Sequence, residues 1–190
     1  MSLETGLRRR LLVYGPALLL LTLLQFQLSV SAAFAVPDFL FLLPLLAAMW
    51  TPGYDGFVLG LAAGFIRDFA AGRGYGPGML LGMVLALCGQ AAAGRGWQQY
   101  LSRLGILLFL STVFHDGLLT LLAWFMPLGI QTGSLALALK LFIYGLPTRL
   151  LANLAGAALL SGLFALAFYS RKKDDGSPAI DFRGGEIQDA

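Results

Sequence analysis

The stretch GFVLGLAAGFIRDFAAGRGYG, residues 56–76, decides how this chain is organised. Small residues recur in it at every fourth position, namely Gly56, Gly60, Gly64, Asp68, Gly72 and Gly76. On a helix this spacing forms one slowly turning ridge with almost no side chain, interrupted by a single carboxylate. In lipid, small residues four apart let two helix backbones approach closely. The sequence therefore predicts a helix that packs tightly, either within a bundle or against the transmembrane helix of a partner.

The composition places this ridge in a membrane protein. The chain has 190 residues, of which 58% are hydrophobic and only 12% charged, and its mean hydropathy is +0.78. Its apolar runs are long and continuous rather than alternating, which favours helices over a β-barrel. The net charge of +3 comes mostly from basic residues at the edges of apolar runs. That placement indicates membrane topology rather than nucleic-acid binding. We expect an all-α bundle.

The first apolar run follows a cluster of arginines. Arg8, Arg9 and Arg10 stand directly before Leu11 to Ala35. A secretory signal would explain the charged start and the small residues near Ala33, but its apolar part is usually about 7 to 15 residues long. This run is longer, so we predict an uncleaved first helix with a cytoplasmic N-terminus.

Three further spans are expected around the ridge. Asp38 suits the positive end of a helix over Phe39 to Trp50, the ridge helix should run to about Ala71, and a fourth span should cover Met79 to Ala93. The glycine-rich turn before Met79 lacks the GxxxxGK[ST] pattern and a preceding strand, so it is not expected to bind phosphate. The lone Cys88 is expected to be a small core residue.

The C-terminal half is predicted to complete six spans. Leu104 to Phe125 forms the fifth, and Pro147 should break the apolar run from Ser134 to Tyr169. Leu135 to Tyr144, which carries Lys140, is then an interfacial or partly re-entrant helix, and Pro147 to Tyr169 is the sixth span. Residues 1–173 would form the transmembrane domain, and residues 174–190 a disordered acidic cytoplasmic tail.

The distribution of basic residues supports an even number of spans. With six, the arginines at the N-terminus, the loop from Arg95 to Arg103 and the cluster from Arg171 to Lys173 all lie on one side. In the short exposed loops on the other side, only Arg73 is basic. This is the positive-inside pattern, so both termini are expected in the cytoplasm.

Several polar residues fall inside the apolar runs. A charge at the bilayer centre costs about 2.5–3.5 kcal/mol on insertion scales, so each is a candidate for function. Arg67 is close enough to the glycine turn to extend outward to water, and it stands about 100° from Asp68 around the helix, so the two cannot share a face. We expect Asp68 to pair with Arg149 or Lys140. The full set is Arg67, Asp68, His115, Asp116, Lys140, Arg149 and Asn153.

The pair His115–Asp116 comes nearest to a catalytic arrangement. Ser111 lies four residues before His115, but neighbours on one helix rarely reach the geometry of a nucleophile and its base. Because His115 is the only histidine, a site with several histidine ligands is excluded. We therefore expect a polar patch inside the bundle, and no catalytic residue, metal or cofactor.

These residues resemble one family of membrane proteins. Pro37-Asp38-Phe39-Leu40 at the start of the second span, followed by the glycines from Gly56 to Gly76 with Asp68 among them, resembles the bacterial rod shape-determining protein MreD family. The resemblance covers residues 37–92. In that family a Pro-Asp precedes the second helix, and a Gly-Leu-rich helix carries an Asp followed by glycines.

The resemblance implies a non-enzymatic, multi-pass protein of the bacterial inner membrane that acts in cell elongation. Its partners would be the bitopic protein MreC, the actin-like MreB filament, and the polymerase and transpeptidase that build lateral peptidoglycan. The ridge glycines would pack within the bundle or against a partner helix, and Asp68 would fix their register through a hydrogen bond.

A second function remains open. The MreD family is thought to share its six-helix fold with the substrate-binding S components of energy-coupling-factor vitamin transporters. Ala32 and Ala35 are a thin match to the alanine-rich faces by which those components dock. Few polar residues converge here beyond Asp68, Lys140 and Arg149, which argues against a specific small-molecule pocket.

Overall fold

The computed structural model describes residues 7–31, 35–51, 53–71, 76–93, 97–125 and 134–168. These residues form six α-helices, so the all-helical class is confirmed. The helices are α1 (Leu7–Ser31), α2 (Phe39–Trp50), α3 (Asp55–Ala71), α4 (Pro77–Ala92), α5 (Trp97–Phe125) and α6 (Leu135–Phe168).

Helix α2 lies at the centre of the bundle. Its residues from Phe39 to Met49 are all buried, and α1, α3, α4 and α6 pack around it. The sequence FLFLLPLLAAMW is apolar on every side, and a helix that is hydrophobic all round is a buried one. The predicted bounds of this helix are confirmed, because Asp38 caps its first turn and Thr51 ends it.

Within the described ranges, three helices have the length and composition of membrane spans. They are the segments Leu11–Ser31, Gln98–Leu122 and Leu135–Leu166. Helices α2, α3 and α4 have only 12, 17 and 16 residues, or about 18, 26 and 24 Å at 1.5 Å per residue. The fold is therefore that of a helical membrane protein in which long helices stand beside short ones.

The predicted break at Pro147 is wrong. Helix α6 continues from Leu135 to Phe168 with Pro147 inside it, so Leu135 to Tyr144 is not a separate helix. A proline removes one backbone hydrogen bond, whereas ending a helix and starting another leaves about four unpaired groups at each new end. In apolar surroundings the continuous helix is the cheaper arrangement.

Other bounds also differ from expectation. Helix α5 begins at Trp97 rather than Leu104, and Arg103 on its first turns donates to the carbonyl of Ala93 just after α4 at 3.1 Å. Cys88 is exposed on α4 rather than part of the core. Gly72, the arginine cluster at Arg8 and the acidic tail of residues 174–190 lie outside the described side chains or residues.

Candidate functional site

The glycine ridge of α3 forms a seam with a second pair of glycines on α4. A Cβ atom added to Gly60 would overlap the carbonyl of Gly82, and one added to Gly64 would overlap the carbonyl of Gly78. The two helices run antiparallel, so positions 60 and 64 meet positions 82 and 78 in reverse order. The helix backbones are thus in direct contact, which only glycine permits at these four positions.

The two ends of the predicted ridge do not contact α4 as its middle does. Gly56 faces α2, where an added Cβ would come within 3.0 Å of the Ala48 backbone. Gly76 belongs to no ridge, because α3 ends at Ala71 and Gly76 is the residue before α4. Its φ of +138° is a conformation that side chains disfavour, and an added Cβ would meet nothing within 4 Å. Glycine is therefore needed at position 76 because of the backbone conformation and not because of close packing.

Asp68 closes the seam at the start of α4. Its carboxylate accepts backbone N–H groups from Gly76 at 2.9 Å, from Gly78 at 2.8 Å and from Met79 at 3.4 Å. The first N–H groups of a helix have no partner within it, and a negative charge is favoured there. Gly76 offers no side-chain cap, so Asp68, only 4% exposed, caps α4 from the neighbouring helix.

The predicted partner of Asp68 and the predicted exposure of Arg67 to water are therefore both wrong. Asp68 binds the first turn of α4 rather than Arg149 or Lys140. Arg67 does not extend outward to water, since its guanidinium donates to both Asp38 and the His115 ring. As expected from their angle on α3, the side chains of Arg67 and Asp68 face different neighbours.

Arg67 belongs to a chain of polar contacts that crosses four helices. Arginine can only donate, so His115 Nε2 accepts from Arg67 and the ring proton lies on Nδ1. That nitrogen donates to Asp116 at 3.0 Å, and Asp116 accepts from Arg149 on α6 at 3.4 Å. Asp38, Arg67, His115, Asp116 and Arg149 together form what we call the ionic chain. His115 is 3% exposed, so the chain is buried at its middle.

The same level of the bundle holds the first turn of α2. Asn153 on α6 accepts the Asp38 backbone N–H at 2.8 Å, and Gln25 on α1 accepts that of Phe39 at 2.8 Å. The Asn153 amide also donates to Thr112 on α5 at 3.3 Å. The backbone N–H groups of Asp38 and Phe39 thus receive acceptors from neighbouring helices, and that of Phe41 is capped by Asp38 itself.

A second polar level lies near the other end of α2. Trp50 Nε1 donates to the Tyr100 hydroxyl at 2.8 Å, and that hydroxyl bonds Ser161 at 2.8 Å. Tyr14 bonds Thr51 at 2.8 Å at the same end. The core between the two levels is apolar, consistent with a bundle held together at both ends by hydrogen bonds.

The remaining candidates take no part in a reactive arrangement. Ser111 donates to the carbonyl of Leu107, and both ring nitrogens of His115 are engaged by Arg67 and Asp116. Lys140 is exposed, with its ammonium 5.9 Å from the centre of the Tyr144 ring. Among the described residues, no three side chains of the metal-binding types gather in one place.

A small cavity lies between the seam and the ionic chain. Arg67, His115, Phe41, Gly64 and Gly82 contribute to its wall. Its volume has room for about one water molecule, whereas pockets for small organic ligands occupy about 300–1,000 Å³. The cavity is suited to a bridging water and not to a vitamin.

Some of these residues escaped the sequence analysis. Gly78 and Gly82 are spaced four apart like the ridge glycines, and that spacing was the signal for the second half of the seam. Gly156 brings α6 against Pro37, since an added Cβ would come within 3.0 Å of the proline ring. Asp38 was expected only as a helix cap, and no sequence signal marks it as the partner of Arg67.

Comparison with known proteins adds no relative. The chain matches no protein-family model, no curated protein sequence and no solved structure. Any functional assignment therefore rests on the residues and on their arrangement.

Proposed function

We propose that this chain is a non-enzymatic inner-membrane component of the bacterial cell-elongation machinery, similar to the MreD family. In this role it binds MreC and supports lateral peptidoglycan synthesis beside the MreB filament, the polymerase and the transpeptidase. Six helices cross the membrane in this arrangement, with both termini in the cytoplasm.

One observation carries the proposal. The residues that resemble the family come together in a single packed unit of α2, α3 and α4. Asp38 starts α2, Gly60 and Gly64 form the seam, and Asp68 caps α4. The resemblance therefore involves residues with a common structural purpose, as expected if this unit is a shared scaffold for partner binding.

The ionic chain is consistent with a structural rather than a catalytic role. Each of its side chains is bound to another, both ring nitrogens of His115 are engaged, and the Ser111 hydroxyl donates to the carbonyl of Leu107. The alternative function, a vitamin-binding transporter subunit, gains no support from the cavity beside Arg67, which has room for about one water molecule.

Complementation tests the proposal. A rod-shaped bacterium depleted of its own MreD would express this chain together with the MreC encoded in the same genome as the chain. We expect rod shape to return and MreC to co-purify. Gly64→Leu should abolish both while the protein still inserts, and Gly105→Leu, at a position with nothing within 4 Å of an added Cβ, should abolish neither.

Failure of the unsubstituted chain in both assays would contradict the proposal. If Gly64→Leu behaves like Gly105→Leu, the seam is passive packing without a part in partner binding. The neighbouring genes give an independent indication, since a bitopic coiled-coil protein and a transpeptidase fit elongation, whereas a pair of ATPases fits vitamin transport.

A further inference from the structure

The short helices α3 and α4 expose a narrow apolar band. On α3 the exposed large side chains run from Val58 to Phe69, and on α4 from Leu80 to Leu87. At 1.5 Å per residue these bands are about 17 and 10 Å tall. Together these exposed side chains form what we call the α3–α4 face, which consists of Val58, Leu61, Phe65, Phe69, Leu80, Val84 and Leu87.

Helices α1 and α5, which contact α3 and α4 respectively, expose taller apolar bands. Exposed large apolar side chains run from Leu11 to Val30 on α1 and, beyond the exposed Arg103, from Ile106 to Phe125 on α5. Each band measures about 29 Å, which matches the hydrocarbon thickness of about 30 Å. The height of the exposed apolar band thus differs between the short helices α3 and α4 and the long helices α1 and α5.

The two charged side chains near the C-terminal end of α3 are held by packing. Arg67 is bound to Asp38 and His115, and Asp68 is bound to the first turn of α4. Neither side chain can extend along the membrane normal to lengthen the apolar band, as a free lysine or arginine would. At the opposite end of α3, Tyr54 is exposed beside Asp55 at the helix start. A polar residue therefore stands at the Tyr54 end of the band, and two bound polar side chains lie just before Phe69 at its other end.

We infer that the bilayer is locally thinned where it meets the α3–α4 face, so that this face binds compressed or short lipid hydrocarbon. The inference rests on the six-span arrangement proposed above. A hydrophobic surface shorter than the bilayer is accommodated by thinning of the adjacent lipid, and the tall α1 and α5 bands oppose a uniform change around the protein.

Lipid is a better occupant of this face than another transmembrane helix. Close helix association in membranes uses small residues, and the closely spaced glycines of α3 and α4 are already in contact with each other through the seam. The large outward side chains are Val, Leu and Phe, which keep another backbone at a distance. These are side chains suited to contact with acyl chains.

Two phenylalanines allow a matched test. Phe65 lies two residues before Arg67 and Phe114 one residue before His115, and Arg67 contacts His115, so both positions lie next to the same polar contact. Both are exposed. A nitroxide would be attached to Phe65→Cys or Phe114→Cys in the full chain carrying Cys88→Ala, in phosphatidylcholine vesicles with 18:1 chains, and its depth measured by oxygen and nickel-chelate relaxation.

We expect the label at position 65 to lie about 6 Å closer to the headgroups than the label at position 114. That shift is about half the difference between a bilayer of about 30 Å and an apolar band of about 17 Å. The difference should shrink in vesicles with 14:1 chains and grow with 22:1 chains. Phe69→Cys serves as a second reporter on α3 if Phe65→Cys fails to fold.

Three results would overturn the inference. Equal depths in all three lipids would mean a bilayer of uniform thickness. Protection of position 65 from both oxygen and nickel would mean that a protein chain covers the face. An aqueous label at position 65, with position 114 in hydrocarbon, would contradict the six-span arrangement as well, and so separates failure of the topology from failure of thinning alone.

Discussion

The carboxylate of Asp68 accepts the backbone N–H of Gly78 at 2.8 Å, and this bond lies at the end of a seam in which Gly78 also faces Gly64. One residue of α4 is thus held twice by α3, once through backbone contact and once through a charged cap. The cap and the glycines depend on each other, because Asp68 reaches the α4 amides only while the two backbones stay close.

Replacing Asp68 should therefore weaken the bundle. Asp68→Ala leaves buried amides at the start of α4 without an acceptor, at a cost of about 1–3 kcal/mol in unfolding free energy. Asp68→Asn should cost less, since its carbonyl oxygen still accepts one bond although the favourable charge is lost. Denaturation in detergent would measure both, with the exposed Gln90→Ala as control. An Asp68→Ala protein as stable as the control would contradict the cap.

The ionic chain should be energetically coupled. Arg67→Gln and Asp38→Asn each remove one end of a partly buried ion pair. Residues in one such network show coupling energies of about 0.5–3 kcal/mol in double-mutant cycles. We expect the double variant to be more stable than the sum of the two losses predicts. Strict additivity would mean that the Arg67–Asp38 contact contributes nothing.

The polar level at the other end of α2 gives a separate prediction. Tyr100→Phe removes the acceptor of Trp50 Nε1–H and the partner of Ser161, so we expect a loss of about 1–3 kcal/mol in unfolding free energy. Tyr144→Phe, at a residue 73% exposed on α6, should change little. Equal changes in unfolding free energy for the two substitutions would mean that the hydrogen bonds of Tyr100 contribute nothing to stability.

The sequence predicted most of what periodicity and helix caps encode. The bounds of α2 followed from Asp38 and a fully apolar run, and the ridge spacing correctly indicated close backbone packing. The error at Pro147 has a physical origin, because a proline ends helices readily in water but less readily where new helix ends would find no partners.

The polar partners were not predictable in the same way. Asp68 binds backbone N–H groups at the start of α4. No residue type in the sequence marks such groups as the partner of a carboxylate. Arg67 and Asp38 are 29 positions apart, and their contact depends on how α2 and α3 are arranged rather than on either sequence segment. Such pairings require the tertiary structure.

The proposed topology makes a direct prediction for reporter fusions. A periplasmically active phosphatase fused after Ala190 should be inactive, because six spans place the C-terminus in the cytoplasm. The same reporter fused after Phe125, at the end of the fifth helix, should be active. Phosphatase activity after Ala190 would exclude six spans, and the Phe125 fusion controls for expression.

The seam itself is tested most directly by adding a single methyl group. Gly64→Ala places a Cβ against the carbonyl of Gly78, and overpacking of this kind costs about 1–3 kcal/mol. Gly105→Ala and Gly162→Ala add the same group to helices where nothing lies within 4 Å. The measurement is the unfolding free energy of the three variants in one detergent. The account predicts a loss for Gly64→Ala alone; three equal values would contradict a bundle organised around the glycine seam.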